Sequence, residues 1–282
     1  MSLISVKNVW KEYGDYIVLE QINLEVAPRA FVALVGPSGC GKTTFLKLLL
    51  SEEQPTSGVI ELEGAPISRE PSSERGVVFQ RYSVFPHLTV LGNVLLGPNL
   101  QASGVLGALF GRLSGERRRA AEDEARQLLA AVGLSGAEAK YPAQLSGGMQ
   151  QRLALAQALI ARPKVLLLDE PFGALDPGIR AEIHELMRKL WNDRSLTVVM
   201  VTHDLSEAFK LATRVVAFER RRNEPTDGGR YGAIIGRDID IWPSRIAAAL
   251  PEATNPSPSG RDDPQPQPEQ RQDDPALNGA RG

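Results

Sequence analysis

The sequence predicts the α/β class, with a parallel sheet at the core, an N-terminal antiparallel β subdomain and an inserted helical subdomain. Three observations carry this prediction. Apolar runs at Phe31–Val35, Val165–Leu168 and Thr197–Val201 have the length and composition of strands covered on both faces. Helical stripes alternate with those runs, as in a parallel α/β core. Between the first run and the helical pattern Phe45–Leu50 lies Gly36-Pro37-Ser38-Gly39-Cys40-Gly41-Lys42-Thr43-Thr44, a G-x-x-x-x-G-K-[ST] loop in its strand–loop–helix setting.

That loop predicts a P-loop NTPase core. Its glycines let successive backbone N–H groups converge on one concave spot. The helix that follows points its N-terminus, with about half a positive charge, at the same spot. Lys42 adds a full charge for the β- and γ-phosphates, and Thr43 offers a hydroxyl to a magnesium ion. The chain is expected to bind a nucleoside triphosphate.

Ile4, Val6 and Val9, then Val18–Val26, alternate as strands do, with turns at Gly14-Asp15 and Pro28-Arg29. This is the antiparallel start that feeds the loop strand. Tyr13 lies in it, either as a half-buried strand aromatic or as a flat surface for a nucleobase. Ser57-Gly58 reads as a turn, Val59–Leu62 as a short strand, Gly64-Ala65-Pro66 as another turn, and Gly76–Phe79 as a short strand ending at Gln80. Residues 81–98 are mixed, with Pro86 and Gly92. Residues 99–115 are rich in Gly, Leu and Ser and carry one charge, Arg112.

Residues 116–132 read as a helix with one charged face and Leu128, Leu129 and Val132 on the other. Leu145-Ser146-Gly147-Gly148-Met149-Gln150-Gln151-Arg152 opens another helix, with Ser146 as its N-cap and Pro163 as its stop. Ile179, Ile183, Leu186 and Leu190 stripe a third, Leu205–Leu211 is a fourth, Arg214–Phe218 is a strand, and Tyr231–Ile235 can return as one more. The domain is expected over 1–250, with the helical lobe inserted at about 81–160. Residues 251–282 turn to Pro, Gln, Asp, Ser and Gly, a composition that predicts disorder.

Composition narrows the function. A net charge of −2 and no basic block argue against nucleic acid as a partner. Cys40 is the single cysteine, which fits a reducing compartment. The N-terminal residues lack the plan of a signal peptide, and no stretch reaches the roughly 18 apolar residues of a membrane span. Work at a membrane would need another chain to hold this one at the cytoplasmic face.

Two further sites carry chemistry. Asp169 and Glu170 follow a buried run, at the strand end where open α/β sheets place ligands. Asp169 can hold magnesium directly or through water, and Glu170 can orient an attacking water or take its proton; the plain alternative is an acidic helix cap. His203 ends the next buried run and can bond a γ-phosphate. Gln80, after its short strand, can ligate the metal or sense the γ-phosphate.

In order and spacing, Gly36 to Thr44, Gln80, Leu145 to Arg152, Asp169-Glu170, Ala174-Leu175-Asp176 and His203 resemble the ATP-binding subunits of ABC transporters. Leu145–Gln151 is similar to that family's specific signature, and the likeness covers about residues 3–218. Phe85-Pro86-His87-Leu88-Thr89-Val90 resembles bacterial importers, nearest to the nitrate, sulfonate and taurine group. The resemblance implies a homodimer that binds ATP and Mg2+, a separate integral membrane permease and a solute-binding protein. It implies that Tyr13 stacks on adenine, that Gly36 to Thr44 wrap the phosphates, and that Thr43, Gln80 and Asp169 surround magnesium. Glu170 would be the catalytic carboxylate and His203 the γ-phosphate switch. Leu145, Ser146, Gly147, Gly148 and Gln150 would belong to the signature that meets the other subunit's ATP, and Asp176 would touch that partner.

The chain departs from the family at Ala156-Gln157-Ala158, where an arginine is usual, at residues 99–115, and at the charged loop Glu219–Asn223. The rivals are an ATPase of an exporter or cell-envelope complex, a soluble ABC ATPase acting on DNA or ribosomes, and a P-loop kinase or GTPase. The soluble kind carries a coiled-coil insertion or two cassettes, which this sequence lacks. A kinase or GTPase has no use for Leu145–Arg152.

Overall fold

A computed structural model describes residues 2–79, 84–102, 115–220 and 231–241. Gln80, the predicted tail and most of the 99–115 stretch lie outside the described residues, as do residues 221–223 of the charged loop.

The strands are β1 (Ile4–Tyr13), β2 (Tyr16–Val26), β3 (Phe31–Val35), β4 (Ser57–Leu62), β5 (Ala65–Pro66), β6 (Arg75–Val78), β7 (Val165–Asp169), β8 (Thr197–Val201), β9 (Arg214–Arg220) and β10 (Ala233–Asp240). The helices, numbered here in chain order, are α1 (Lys42–Leu50), α2 (Val90–Ala102), α3 (Gly115–Ala131), α4 (Gly147–Leu159), α5 (Pro177–Asp193) and α6 (Leu205–Leu211). One sheet runs β5-β4-β1-β2-β10-β9-β3-β8-β7-β6. Its β9-β3-β8-β7-β6 portion is parallel, while β1 pairs antiparallel with β2 and β4. The predicted parallel core and antiparallel start are both present.

The reason β3 is a central strand is visible in its side chains. Phe31, Ala33 and Val35 pack into one apolar cluster, Val32 and Leu34 into another. A strand buried on both faces has no polar side to show, so it reads as a continuous apolar run. On the first face sit α5 and the helices α3 and α4, through Ile183, Leu128 and Leu153 among others. On the second sit α1 and the β1–β2 pair, through Phe45, Leu48, Leu19 and Ile22.

The structure corrects the sequence reading in four places. Residues 90–102 form α2 where mixed structure was expected, although Gly92, Gly97 and Pro98 lie in its range. Thr89 starts it by accepting a bond from Gly92 N–H at 3.1 Å, and Val90 and Val94, one turn apart, are fully buried against α3 and α4. Tertiary burial here outweighs poor helix propensity. Ser57 and Gly58, read as a turn, belong to β4, because β1 pairs with it as far as Trp10↔Ser57. Ala65 and Pro66 pair with Leu62 and Glu61, so only Glu63-Gly64 make that turn. Finally, β10 runs to Asp240, well past Ile235, because it pairs antiparallel along the whole of β9.

Candidate functional site

Three adjacent strands deliver the site. In the parallel register Leu34 of β3 and Asp169 of β7 both pair with Val201 of β8. The phosphate loop, Asp169-Glu170 and Thr202-His203 therefore leave the sheet side by side, at its carboxyl edge. This is what the sequence reading expected of them.

The loop needs its glycines. A Cβ on Gly36 would lie 2.4 Å from the carbonyl oxygen of Phe218, and one on Gly41, at φ +100, would lie 2.8 Å from Leu19 Cδ2. Lys42 is only 5% exposed; its Nζ donates to the carbonyls of Gly36 (2.8 Å) and Pro37 (2.9 Å) and lies 3.7 Å from Cys40 Sγ. Pro37, Ser38 and Gly39 are exposed, whereas the Cys40 thiol is buried in the core. Cys40 thus meets any ligand through its main chain, and its thiol is shielded from reagents.

A pocket of about 300 Å3 opens in front of the loop. Ser38, Gly39 and Gly41 to Thr44 line it, together with Tyr16, Val18, Glu170 and Arg220. Thr43 Oγ1 donates to Asp169 Oδ1 at 3.4 Å. Burial pushes the Asp169 carboxyl above its ordinary range; the Thr43 hydroxyl opposes this, and the Glu170 charge adds to it. A hydroxyl and a carboxylate converging beside a phosphate loop are hard oxygen donors, the set that magnesium takes.

Glu170 adopts φ +45, a left-handed conformation that costs a non-glycine residue about 1–3 kcal/mol. Its N–H is anchored to Val201 C=O at 3.0 Å. Its Oε2 lies 3.3 Å from Nδ1 of the exposed His203. The loop after it is pinned by Phe172, fully buried and edge-on to His184, whose Nε2 lies 3.0 Å from Oε1 of the buried Glu207.

Tyr13 is 48% exposed and is absent from the pocket lining. Its hydroxyl donates to Glu53, and the Lys11 ammonium lies 4.8 Å above its ring. Burial first, then the bond to Glu53, pushes its phenol up to about 12. Arg220, read from the sequence as part of a charged loop apart from the nucleotide chemistry, instead ends β9 and lines the pocket, together with Tyr16, which the sequence reading missed. They lie 204 positions apart, and only the pairing of distant strands brings them to one place.

The signature segment lies elsewhere in the chain's fold. Ser146 caps α4 by accepting from Met149 N–H at 3.3 Å, as its sequence position predicts. Ser146 and Gly147 are exposed beside the half-buried Gln150, whose amide donates back to the carbonyls of Pro142 (3.0 Å) and Leu145 (3.3 Å). Leu145 is buried, and a Cβ on Gly148 would lie 2.5 Å from Ile179 Cγ2. None of these residues lines the loop pocket. Asp176 precedes α5, is exposed, and makes no side-chain capping bond. Among the described residues, no helix is long and apolar enough to cross a membrane.

Known proteins match this arrangement. Residues 19–173 match the family described as ABC transporter. The chain is 41% identical over 232 residues to the sulfate/thiosulfate import ATP-binding protein CysA of Mycobacterium bovis, covering 79% of this chain and 62% of that protein. The protein of the same name from Gloeobacter violaceus is 43% identical over 225 residues, covering 78% and 61%. The chain thus spans about three fifths of the length of these relatives. Among solved structures, the dimeric bacterial ABC transporter cassette MJ0796 superposes with a TM-score of 0.66 at 32% identity, covering 85% of this chain and 99% of that one. The same cassette in a post-hydrolysis state bound to ADP and phosphate gives a TM-score of 0.65 at 30% identity, with the same coverage. By sequence and by fold, the chain belongs to the ABC transporter family.

Proposed function

We propose that the chain is the ATP-hydrolysing subunit of an ABC importer. Two copies clamp two ATP molecules and drive a separate membrane permease from its cytoplasmic face. The observation that carries this reading is the convergence of the phosphate loop, Asp169-Glu170 and His203 on one sheet edge, with the capped signature helix start outside that pocket. A helix N-terminus attracts anions, and Ser146 with Gly147 leave theirs exposed. A site made from the loop of one subunit and the signature of the other follows naturally. The dimeric cassette among the structural neighbours supports it.

The chain's own residues divide the work. Loop N–H groups and Lys42 hold the phosphates, which requires the Lys42 ammonium to exchange the Gly36 and Pro37 carbonyls for phosphate oxygens. Thr43 and Asp169 would hold magnesium, with Gln80 assigned to the same ion by resemblance; the ion neutralises phosphate charge when bound. Glu170 orients the attacking water and takes its proton, and His203, within reach of Glu170, holds the γ-phosphate. Tyr13, near the strand hairpin, is assigned to adenine by resemblance alone, and Asp176 to the partner subunit.

The exposed Phe85 is assigned to permease docking. Asn93 fixes its loop by accepting from Phe85 N–H (2.7 Å) and donating to the carbonyls of Phe85, Leu88 and Thr89. The relatives are named for sulfate and thiosulfate import, and a small sulfur- or nitrogen-containing solute, delivered by a solute-binding protein, fits the resemblance. The test is ATP turnover by the purified chain with magnesium, followed by identification of the membrane protein that co-purifies with it. Absence of turnover both alone and in that complex would overturn the reading.

A further inference from the structure

The pocket in front of the phosphate loop has two ends, and the sheet order says which is which. Glu170 follows β7, two strands to one side of β3; Arg220 ends β9, the neighbour of β3 on the other side. On the assignment above, Glu170 marks the γ-phosphate end. The Arg220 end then faces the remainder of the nucleotide.

Strand periodicity aims Arg220 into that end. Residues two apart share a face, and Val216 and Phe218 pack in the same cluster as α1, with Phe218 5.5 Å from Phe45 between ring centroids. Arg220 is the next residue on that face, beyond the buried part of the strand. Tyr16 reaches the same place from β2, one step before Val18, which itself would touch a Cβ on Gly41 at 3.1 Å. The Arg220 guanidinium donates to the Tyr16 hydroxyl and lies 5.1 Å from its ring centroid. Among the described residues its Nε is shut from solvent with no acceptor, and no carboxylate pairs with it. A cation seated on an aromatic ring, with no counter-charge among the described residues, at the rim of an anion pocket is suited to an anionic ligand.

The geometry points to Arg220, seated on Tyr16, as a second cationic contact of the nucleotide, on its α-phosphate and ribose side. It acts opposite Glu170 and within the same subunit as Lys42. The inference rests on the ATPase reading of this pocket.

Calorimetric titration with Mg-ATP and Mg-ADP of wild type, Arg220→Met and Arg220→Lys tests it. Both nucleotides carry the ribose and the α-phosphate. Arg220→Met should therefore weaken both alike, by about ten- to a hundredfold, the value of a charge-assisted hydrogen bond. Arg220→Lys, which keeps the charge, should recover part of the loss. Unchanged affinity for both, with a wild-type melt, would make the pair a latch between strands and overturn the inference. A loss confined to ATP would also overturn it, since that places the charge at the γ-phosphate. Should Arg220→Met fail to fold, Tyr16→Phe keeps the ring and removes the hydroxyl that seats the guanidinium. A several-fold loss for both nucleotides then supports the inference, and wild-type affinity overturns it. If wild type itself binds no Mg-ATP, the ATPase reading fails first, so the two failures are distinguishable.

Discussion

Glu170 carries two features that belong together, a left-handed backbone and a carboxylate facing His203. The strained turn aims the side chain off the end of β7 into the pocket, and the Val201 carbonyl holds it there. Glu170→Gln keeps that shape and removes the proposed base. Turnover should fall by roughly 10²–10⁴ while ATP still binds; hydrolysis near the wild-type rate would remove Glu170 from the mechanism. Tyr13 offers a test by pH. Its phenol is raised from an ordinary value near 10 to about 12, because burial disfavours the phenolate and Glu53 accepts only from the protonated form. The stabilisation from that bond is whole below about pH 10 and is lost as pH climbs toward 12. The difference in phenolate absorbance between wild type and Tyr13→Phe should therefore show one tyrosine titrating late. A difference centred near 10 would contradict the bond to Glu53.

The helix pair α4 and α5 shows how the signature is positioned. Gly148 lets α4 approach Ile179 so closely that a methyl group would sit 2.5 Å from its Cγ2. Gly148→Ala should destabilise the fold by about 1–3 kcal/mol, the usual cost of overpacking, and lower the melting temperature by several degrees. Adding Ile179→Ala should recover much of that loss, and a wild-type melt for Gly148→Ala alone would show that α4 does not need this approach. The sequence made β3, β7 and β8 readable because burial on both faces leaves an unbroken apolar run. It made Ser146 readable because capping is local: its hydroxyl accepts from Met149 N–H three residues on. Helix α2 was hidden, since Gly92, Gly97 and Pro98 argue against a helix and only its packing on α3 and α4 decides otherwise. The meeting of Tyr16 and Arg220 was hidden for another reason: the run of charges around Arg220 says nothing of its partner, and the contact depends on strands distant in sequence.

Across the whole molecule, the proposed function divides the surface between a permease and a second copy of the chain. Phe85 is 40% exposed and edge-on to His87. Phe85→Asp should change stability little, as exposed substitutions do, staying within about 0.5 kcal/mol. In a reconstituted complex it should abolish transport while ATP binding persists; intact transport would move the docking surface elsewhere. The dimer is tested by two lesions. Lys42→Ala breaks the phosphate loop, and Ser146→Arg fills the exposed helix start with a bulky cation. Each homodimer then holds two broken sites. In a heterodimer of the two variants, both lesions fall into one site, and the other receives an intact loop and an intact signature under two-fold symmetry. Nucleotide trapping by isolated heterodimers therefore decides whether the site is shared between subunits. Trapping at one site per heterodimer, with none in either homodimer, is the expected result; heterodimers that trap no nucleotide would contradict it.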